Sequence, residues 1–315
     1  MNKPLNFALI GASGYIAPRH MKAIKDTENR LTAVLDPYDG IGIIDSYFPY
    51  ADYFSESERF DRHLDKMRRT GNMKIDFVSI CSPNYLHDAH IRMALRNQAD
   101  AICEKPLVLN PWNIDALEEI ERETGRKIYN ILQLRLHESI RKLKSEIENR
   151  QDEFFDVELT YITSRGNWYR HSWKGDESKS GGVATNIGIH FFDMLYWIFG
   201  CVEKYEVHLY NEQKAAGTFR LKNANVRWFL SIDENDLPQE IKGQKRTFRS
   251  INVNGSEFEF SEGFTELHTE SYKQILSDNG FGLADARPSI EMVYNIRNSA
   301  ISPLQGDYHP YLKSL

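Results

Sequence analysis

The stretch that decides the fold is Leu5-Asn6-Phe7-Ala8-Leu9-Ile10-Gly11-Ala12-Ser13-Gly14-Tyr15-Ile16-Ala17. It begins with an apolar run typical of a buried strand, and a helical pattern follows the glycine turn from Tyr15 to about Asp26. Small residues between a strand and a helix let backbone amides and the helix N-terminus approach a pyrophosphate group. Because Ser13 and Gly14 stand where Gly-x-Gly-x-x-Gly has its middle glycine, the turn alone is equally consistent with an ordinary tight turn.

Asp36 favours the dinucleotide interpretation of this turn. It follows the next apolar strand, Leu31–Leu35, at about the spacing where a carboxylate accepts hydrogen bonds from the adenosine ribose. Its negative charge would repel a 2'-phosphate, and no Arg follows immediately, so the sequence favours NAD over NADP. The predicted cofactor-binding residues here are Gly11, Ser13, Gly14, Tyr15, Ile16 and Asp36.

Strand-like and helical patterns alternate along residues 1–133. Such alternation predicts a parallel sheet with helices on both faces, and therefore an α/β Rossmann domain over residues 1–133. The patterns are a helix over Glu56–Arg69, a strand over Ile75–Cys81, a helix over Tyr85–Asn97, a strand over Ala101–Cys103, a helix over Pro111–Thr124 and a strand over Lys127–Leu132.

The pattern changes in residues 134–315. After a helix over His137–Asn149, apolar residues alternate with polar ones, as at Val157, Leu159 and Tyr161 or at Phe258 and Phe260. We predict an α+β domain with an open, largely antiparallel sheet that binds substrate and forms oligomer contacts. Helices over Ala184–Phe199 and Ser289–Ala300 are expected beside that sheet.

Composition excludes several classes of function. The net charge of −6 provides no general attraction for nucleic acid or an anionic membrane. No apolar stretch approaches the roughly 20 residues of a membrane span, and the first ten residues do not resemble a signal peptide, so we expect a cytoplasmic protein. Cys81, Cys103 and Cys201 are too widely spaced for a zinc motif and are expected to be small buried apolar residues.

Two polar clusters follow predicted strands of the first domain. Ser82-Pro83-Asn84 and Glu104-Lys105-Pro106 fall at carboxyl ends of strands, where open α/β sheets bind ligands. Lys105 is also compatible with a surface residue paired with Glu104. His87 and His90 have a spacing seen in metal ligands, but no third ligand is suitably placed, so no metal is predicted.

In the second domain, Asn186 and His190 are one helical turn apart on a common face of an apolar helix. A single His in such a helix is more often a core residue than a catalytic one. Upstream, a loop combines guanidinium groups, an amide and aromatic rings, which suit an anionic sugar nucleotide but also occur in exposed turns. Its candidate substrate-binding residues are Arg165, Asn167, Trp168, Tyr169 and Arg170.

Together, Glu104-Lys105-Pro106, Ser82-Pro83-Asn84 with His87, and Asn186 to His190 resemble the glucose-fructose oxidoreductase/inositol dehydrogenase (Gfo/Idh/MocA) family. The resemblance extends from the first strand to Asp285-Ala286-Arg287-Pro288, nearly the whole chain. It implies that Lys105 and His190 are catalytic and lie beside the nicotinamide. It also implies cofactor contacts from Ser82, Asn84, His87, Glu104 and Lys105, and substrate contacts from Asn186 and His190. Asn186 replaces an Asp that the family often has, which leaves the proton relay open between Lys105 and His190.

Segments 14–20, 161–169 and 172–175 resemble the branch of the family that acts on UDP-N-acetylglucosaminuronic acid. That branch oxidises the 3-hydroxyl during synthesis of di-acetylated mannuronic acid for bacterial surface polysaccharide, the O-antigen. The resemblance implies NAD as cofactor and a homotetramer. Some members of this branch reoxidise NADH with 2-oxoglutarate as co-substrate and others do not, so an enzyme that exchanges its cofactor is the alternative to this expected recycling. The alternatives are a dehydrogenase of another sugar or of inositol, and a non-catalytic NAD-binding sensor.

Overall fold

The computed structural model describes residues 3–71, 73–150, 152–258 and 266–314. The chain forms two compact units. The first is Met1–Gln133 with Thr265–Arg287, and the second is Leu134–Phe264 with Pro288–Leu315. Residues 265–287 belong to the first unit, so each unit consists of two separate segments of the chain and not of one continuous range.

Seven of the ten α-helices in the described residues correspond to predicted ones, whereas the helices over Trp168–His171, Glu177–Ser180 and Leu267–Leu276 were not predicted. The α-helices are α1 (Ala17–Asp26), α2 (Ser57–Thr70), α3 (His87–Arg96), α4 (Pro111–Thr124), α5 (Glu138–Glu148), α6 (Trp168–His171), α7 (Glu177–Ser180), α8 (Ile189–Phe199), α9 (Leu267–Leu276) and α10 (Leu283–Asn298). A 3-10 turn, Asn84–Leu86, precedes α3, and a π-helical turn, Ala184–Gly188, precedes α8. Helix α10 begins before Pro288 rather than after it, because Asp285 Oδ2 accepts the Gly282 N–H at 2.9 Å and stabilises an earlier start.

The sheet of the first unit is entirely parallel. Its strands are β1 (Asn6–Ile10), β2 (Arg30–Leu35), β3 (Asp52–Phe54), β4 (Phe77–Ile80), β5 (Asp100–Cys103) and β6 (Ile128–Asn130). The spatial order is β3-β2-β1-β4-β5-β6, so the direction of the strand order reverses between β1 and β4. In sheets of this type, ligands bind at the carboxyl ends beside that reversal. The predicted Rossmann fold is confirmed.

Helix α9 explains why residues 265–287 belong to the first unit. Its buried Tyr272 and Ile275 join the apolar cluster formed by Phe7, Met21 and Ile24. The Phe7 and Tyr272 rings stack with centroids 5.8 Å apart. Leaving this apolar face in water would cost about 25 cal/mol for each Å² exposed, so α9 packs where a matching core exists.

The second unit has a mixed sheet, in which antiparallel pairs predominate. Its strands are β7 (Phe155–Thr163), β8 (Val202–Tyr210), β9 (Lys214–Leu221), β10 (Ala224–Ser231), β11 (Thr247–Val253) and β12 (Ser256–Glu257). The order is β12-β11-β7-β10-β9-β8, and the β7–β10 pair is parallel. The largely antiparallel character is confirmed. Of the two Phe residues predicted to alternate near the end of the sheet, Phe260 lies outside the described residues.

One face of this sheet is covered by the chain's own C-terminal residues. Leu312 packs with Phe229 and Ile162, and the His309 ring stacks on Phe229 at 5.6 Å. His309 Nε2 also lies 3.0 Å from Thr160 Oγ1. The apolar patch around Phe229 therefore has a partner within the chain, in the 3-10 helix Pro310–Ser314, which agrees with the alternative that the chain's own helices cover the sheet. The oligomeric state stays a prediction.

Two remaining expectations concern solvent exposure. No helix in the described part of the chain is long and apolar enough to cross a membrane. Cys103 is buried and Cys81 partly buried, but Cys201 is exposed because it lies in the turn between α8 and β8. The prediction that all three cysteines are buried apolar residues is therefore wrong for Cys201.

Candidate active site

The glycine turn of the first unit is built so that its backbone lies against the end of β4. Gly11 has a φ of +88°, and a Cβ at this position would lie 2.7 Å from the carbonyl carbon and oxygen of Cys81. A Cβ on Gly14 would lie 3.1 Å from Gly11 O. Only glycine at position 11 avoids both the backbone strain and the steric overlap. The turn thus leaves its backbone at the sheet's carboxyl edge, directly before α1.

Asp36 organises this turn from the end of β2. Its Oδ2 accepts hydrogen bonds from the backbone N–H and the hydroxyl of Ser13, both at 2.7 Å, and Oδ1 accepts the Tyr38 N–H at 2.9 Å. A carboxylate has about four acceptor positions, so one remains for a ribose hydroxyl. The turn and the carboxylate together fit a dinucleotide without a 2'-phosphate. Tyr15 on the same turn is exposed, and Ile16 is partly exposed.

The ends of β4 and β5 are joined by His87. The buried ring places Nε2 2.8 Å from Ser82 O and Nδ1 2.7 Å from Pro106 O. Both partners are acceptors, whereas a neutral imidazole donates through one nitrogen only. Burial lowers the pKa of His87, although the two carbonyls oppose that shift. His87 therefore holds two backbone turns together, and a direct contact with the cofactor stays a prediction.

The neighbouring polar residues at the end of β4 are also buried. Ser82 Oγ lies 2.8 Å from His90 Nδ1, and Asn84 is buried in the 3-10 turn. Burial lowers the pKa of His90 to about 4, so its imidazole is neutral near pH 7. The ring nitrogens of His87 and His90 thus form hydrogen bonds with backbone and serine oxygens.

Glu104, at the end of β5, is the centre of a buried polar cluster. Its Oε1 accepts hydrogen bonds from His20 Nε2 at 3.0 Å and from His268 Nε2 at 2.9 Å, and Oε2 accepts the Lys105 N–H at 3.2 Å. Burial raises the pKa of Glu104, but the two histidine hydrogen bonds outweigh it and hold the pKa well below its usual range. Lys105 itself is partly exposed.

Nothing in the sequence links His20 and His268 to Glu104, since 164 residues separate His268 from Glu104. The three ligand atoms lie within 4.8 Å of one another, a spacing that a metal ion could also use. The direct hydrogen bonds account for the orientation of all three side chains without an ion.

In the second unit, Asn186 and His190 interrupt an otherwise buried segment. From Val183 to Leu195 every residue is buried except these two, which are partly exposed. The π-helical turn and α8 place them on a common accessible face, so the expected spacing is realised. Asn186 Nδ2 donates a hydrogen bond to the hydroxyl of Tyr169 at 2.6 Å.

The loop before this helix collects positive charge. Lys174 Nζ lies 5.3 Å from the centre of the Trp168 ring and 5.5 Å from that of Trp173. Burial lowers the pKa of Lys174, and the nearby charge of Arg165 lowers it further. Among the described residues, neither cation has a carboxylate within 4.0 Å. Lys174 was not predicted as a site residue, although it lies between Trp173 and Gly175 in the sequence.

Tyr169 connects this cationic loop to Asn186. It is buried, burial raises its pKa, and Arg165 is close enough to oppose that shift. Asn167 and Arg170 are exposed on the same loop. The structure thus groups Arg165, Trp168, Tyr169, Lys174 and Asn186 within the second unit. The predicted catalytic residues Lys105 and His190 belong to different units.

Comparison with known proteins places both units. Residues 5–131 match the model for "Oxidoreductase family, NAD-binding Rossmann fold". Residues 146–295 match the model for "Oxidoreductase family, C-terminal alpha/beta domain".

Two similar crystal structures are of the WlbA (WbpB) dehydrogenase from Thermus thermophilus. The complex with NAD and alpha-ketoglutarate is 50% identical, covers 98% of this chain and 99% of that chain, and has a TM-score of 0.94. The complex with NAD and UDP-GlcNAcA is 49% identical, with the same coverage and a TM-score of 0.93. A more distant relative, the D-glucoside 3-dehydrogenase of Escherichia coli (strain K12), is 26% identical over 69% of this chain. That match spans 62% of the relative's own length, less than two thirds.

Proposed function

The chain belongs to the Gfo/Idh/MocA oxidoreductase family, and on that premise we propose that it oxidises the 3-hydroxyl of UDP-N-acetylglucosaminuronic acid with NAD. The product is the 3-keto sugar, an intermediate for bacterial O-antigen with di-acetylated mannuronic acid. Support comes from the Thermus thermophilus protein, which shares 50% sequence identity with this chain. Its crystal structures contain NAD together with this sugar nucleotide or with alpha-ketoglutarate.

One observation carries the choice of an anionic sugar: the hydrogen bond from Asn186 to Tyr169. It ties the helix face that bears His190 to the loop that bears Arg165 and Lys174. A substrate that fills this region meets a histidine for proton transfer and two cations without carboxylate partners in the described chain. A neutral polyol such as inositol would gain no charge-assisted hydrogen bond from those cations, whereas a carboxylate or a diphosphate would.

We assign the proton chemistry to His190 and Lys105. NAD, when bound, supplies the acceptor for the hydride from carbon 3. His190 removes the hydroxyl proton, and Lys105 donates a hydrogen bond to the same oxygen and stabilises its developing negative charge. A non-catalytic NAD sensor requires neither group, so their joint requirement distinguishes the two functions.

The substrate assignment is tested by mixing purified protein, NAD and UDP-N-acetylglucosaminuronic acid and following NADH absorbance. UDP-N-acetylglucosamine, which lacks the carboxylate, serves as the matched control and should be turned over at least about 100-fold less efficiently. Equal efficiency on the two sugars would exclude the carboxylate as a recognition element. His190→Ala and Lys105→Met should each lower kcat by about 10²- to 10⁴-fold while NADH still binds.

The reoxidation of NADH by 2-oxoglutarate belongs to the same proposal. The keto acid presents a carbonyl that accepts a hydride, a proton from His190 or Lys105 completes the alcohol, and its carboxylates suit Arg165, Arg170 and Lys174. Mixing NADH-loaded protein with 2-oxoglutarate should bleach the reduced-cofactor absorbance in one turnover and yield 2-hydroxyglutarate. Persistent absorbance, with full turnover supported by free NAD, would identify an enzyme that exchanges its cofactor.

We also propose a homotetramer and a cytoplasmic location, which suits two freely diffusing reactants. Light scattering at micromolar concentration tests the assembly, and a monomeric mass would contradict it.

A further inference from the structure

Three separate elements bring their polar side chains to Glu104. Helix α1 provides His20, helix α9 provides His268 and Tyr272 one turn apart, and β4 provides Ser79. Tyr272 Oη lies 2.8 Å from His20 Nδ1 and 2.6 Å from Ser79 Oγ. All of these side chains are buried. Such a network is stabilising only if each donor meets an acceptor.

The donors and acceptors of this network follow a single direction. The carboxylate of Glu104 only accepts, so both histidines present an N–H at Nε2. Burial lowers the pKa of His20, and a neutral His20 must then accept at Nδ1. Tyr272 therefore donates to His20, and Ser79 donates to Tyr272. Every proton in the chain from Ser79 points toward Glu104, which fixes the His20 tautomer.

The consequence of this order falls on Lys105. With Oε1 held from two sides, the Glu104 carboxylate cannot rotate, and Oε2 stays on the Lys105 backbone N–H at 3.2 Å. We propose that His20 and His268 are positioning residues that place Lys105 for reaction by holding Glu104. The inference rests on the proposed function, because it presumes that Lys105 acts on the substrate hydroxyl.

Several titratable groups share the charge environment of Glu104. Cys81, Cys103 and Tyr272 have raised pKa values, chiefly through burial, and the Glu104 charge adds to each shift. The same charge also raises the pKa of His87 and of His20, and there it opposes the lowering by burial. If one histidine donor were removed, burial would raise the pKa of Glu104, and the carboxyl would take up a proton at higher pH.

The test compares His268→Leu with His268→Gln. Leucine removes the donor, whereas the glutamine amide can replace Nε2–H. His268 Nδ1 has no hydrogen-bond partner among the described residues, so glutamine gives up nothing there. We expect His268→Leu to lower kcat about 10- to 100-fold, with the KM for the sugar and the Kd of NADH within about threefold. His268→Gln should recover kcat to within about threefold of wild type.

A pH profile separates positioning from general loss of stability. In His268→Leu the acid limb of thermal unfolding, measured on the protein without cofactor, should move to higher pH by about one unit, because the pKa of Glu104 rises toward its usual range. A general loss of stability would instead lower the Tm by a similar amount at every pH. Equal losses of kcat in the leucine and glutamine variants, or an unmoved acid limb, would overturn the proposal.

Tyr272→Phe keeps the ring and removes the hydroxyl that donates to His20 and accepts from Ser79, so it tests the second histidine while the packing of the ring is kept. It should lower kcat several-fold and move the acid limb less than His268→Leu does. Unchanged kcat and an unchanged limb would exclude His20 from the positioning role. If wild-type protein fails to oxidise the sugar, the proposed function fails, whereas an active wild type with unaffected variants refutes this inference alone.

Discussion

Glu104 in the first unit and Lys174 in the second are both charged groups that are shielded from water, but only Glu104 has hydrogen-bond partners that compensate its charge. Glu104 receives hydrogen bonds from two histidines and a backbone amide. Lys174 has aromatic faces and another cation nearby, and no carboxylate within 4.0 Å in the described chain. The charge of Glu104 is compensated within the chain and contributes to the fold. The charge of Lys174 is not compensated in this way, and we expect it to bind a ligand.

The sharpest test of this contrast is the stability of Glu104→Gln. Replacing one oxygen by an amide puts a donor among donors in a buried site, and we expect a loss of about 3 to 5 kcal/mol in the free energy of unfolding. The matched variant Arg165→Gln should stay within about 0.5 kcal/mol of wild type, since it removes an exposed, uncompensated charge. Denaturant titration measures both. Similar losses would erase the distinction between the clusters.

The glycines of the two units should differ in the same way. Gly11→Ala forces a side chain into a positive φ and against the Cys81 backbone, so we expect a loss of about 2 kcal/mol and NAD binding at least about tenfold weaker. Gly166→Ala is the control, because its Cβ would meet only the side chain of the exposed Trp168, at 3.2 Å. Fluorescence titration with NADH reports the first effect. If Gly11→Ala binds NADH with normal affinity, the glycine turn does not contact the cofactor.

The cationic loop should matter for recognition instead of stability. The double variant Arg165→Gln/Lys174→Gln should raise the KM for UDP-N-acetylglucosaminuronic acid about 10- to 100-fold, because the anion loses both partners. Its Kd for NADH should be unchanged. The KM for UDP-N-acetylglucosamine, which lacks the carboxylate, should rise much less. The ratio of kcat/KM between the two sugars should therefore become smaller. A preference that stays intact would show that other residues recognise the carboxylate.

The smallest expected effect is a pH dependence of binding. The pKa of Lys174 is lowered in the free protein, and a bound anion favours its charged form. Affinity should therefore be complete below that lowered pKa and decline, by at most about tenfold for each pH unit, as the pH rises through it. Calorimetric titration of the anionic sugar between neutral and alkaline pH measures the decline. Lys174→Gln should flatten the curve, and an identical decline in that variant would point to another group.

Most of the first unit could be predicted from the sequence, but β3 and α9 were not predicted. Local patterns determine a parallel sheet, so the apolar run of β1, the glycine turn and Asp36 lie where expected. The site residues at the ends of β4 and β5 follow from strand topology alone. Helix α9 could not be assigned, because its place depends on an apolar face that matches a core more than a hundred residues earlier in the chain.

The partners of Glu104 and the role of Lys174 also required the structure. His268 contacts Glu104 across 164 residues, and no local pattern encodes such a contact. Lys174 was visible only as part of a motif. Its significance comes from Arg165 and the two indole rings, whose arrangement depends on the path of the loop. Asn186 and His190 were predictable because helical spacing fixes a common face.

Helix α9 has a consequence for the order in which the molecule is made. A ribosome releases residues 1–133 before the helix that completes the first unit has been synthesised. At about 5–20 residues per second, the intervening 134–264 take roughly 7 to 26 seconds. During that interval the nascent sheet lacks the Tyr272 ring over Phe7, and Glu104 lacks its His268 donor. Chains arrested before residue 266 should therefore remain protease-sensitive in the first unit and bind chaperones, whereas release of α9 should close it in one cooperative step.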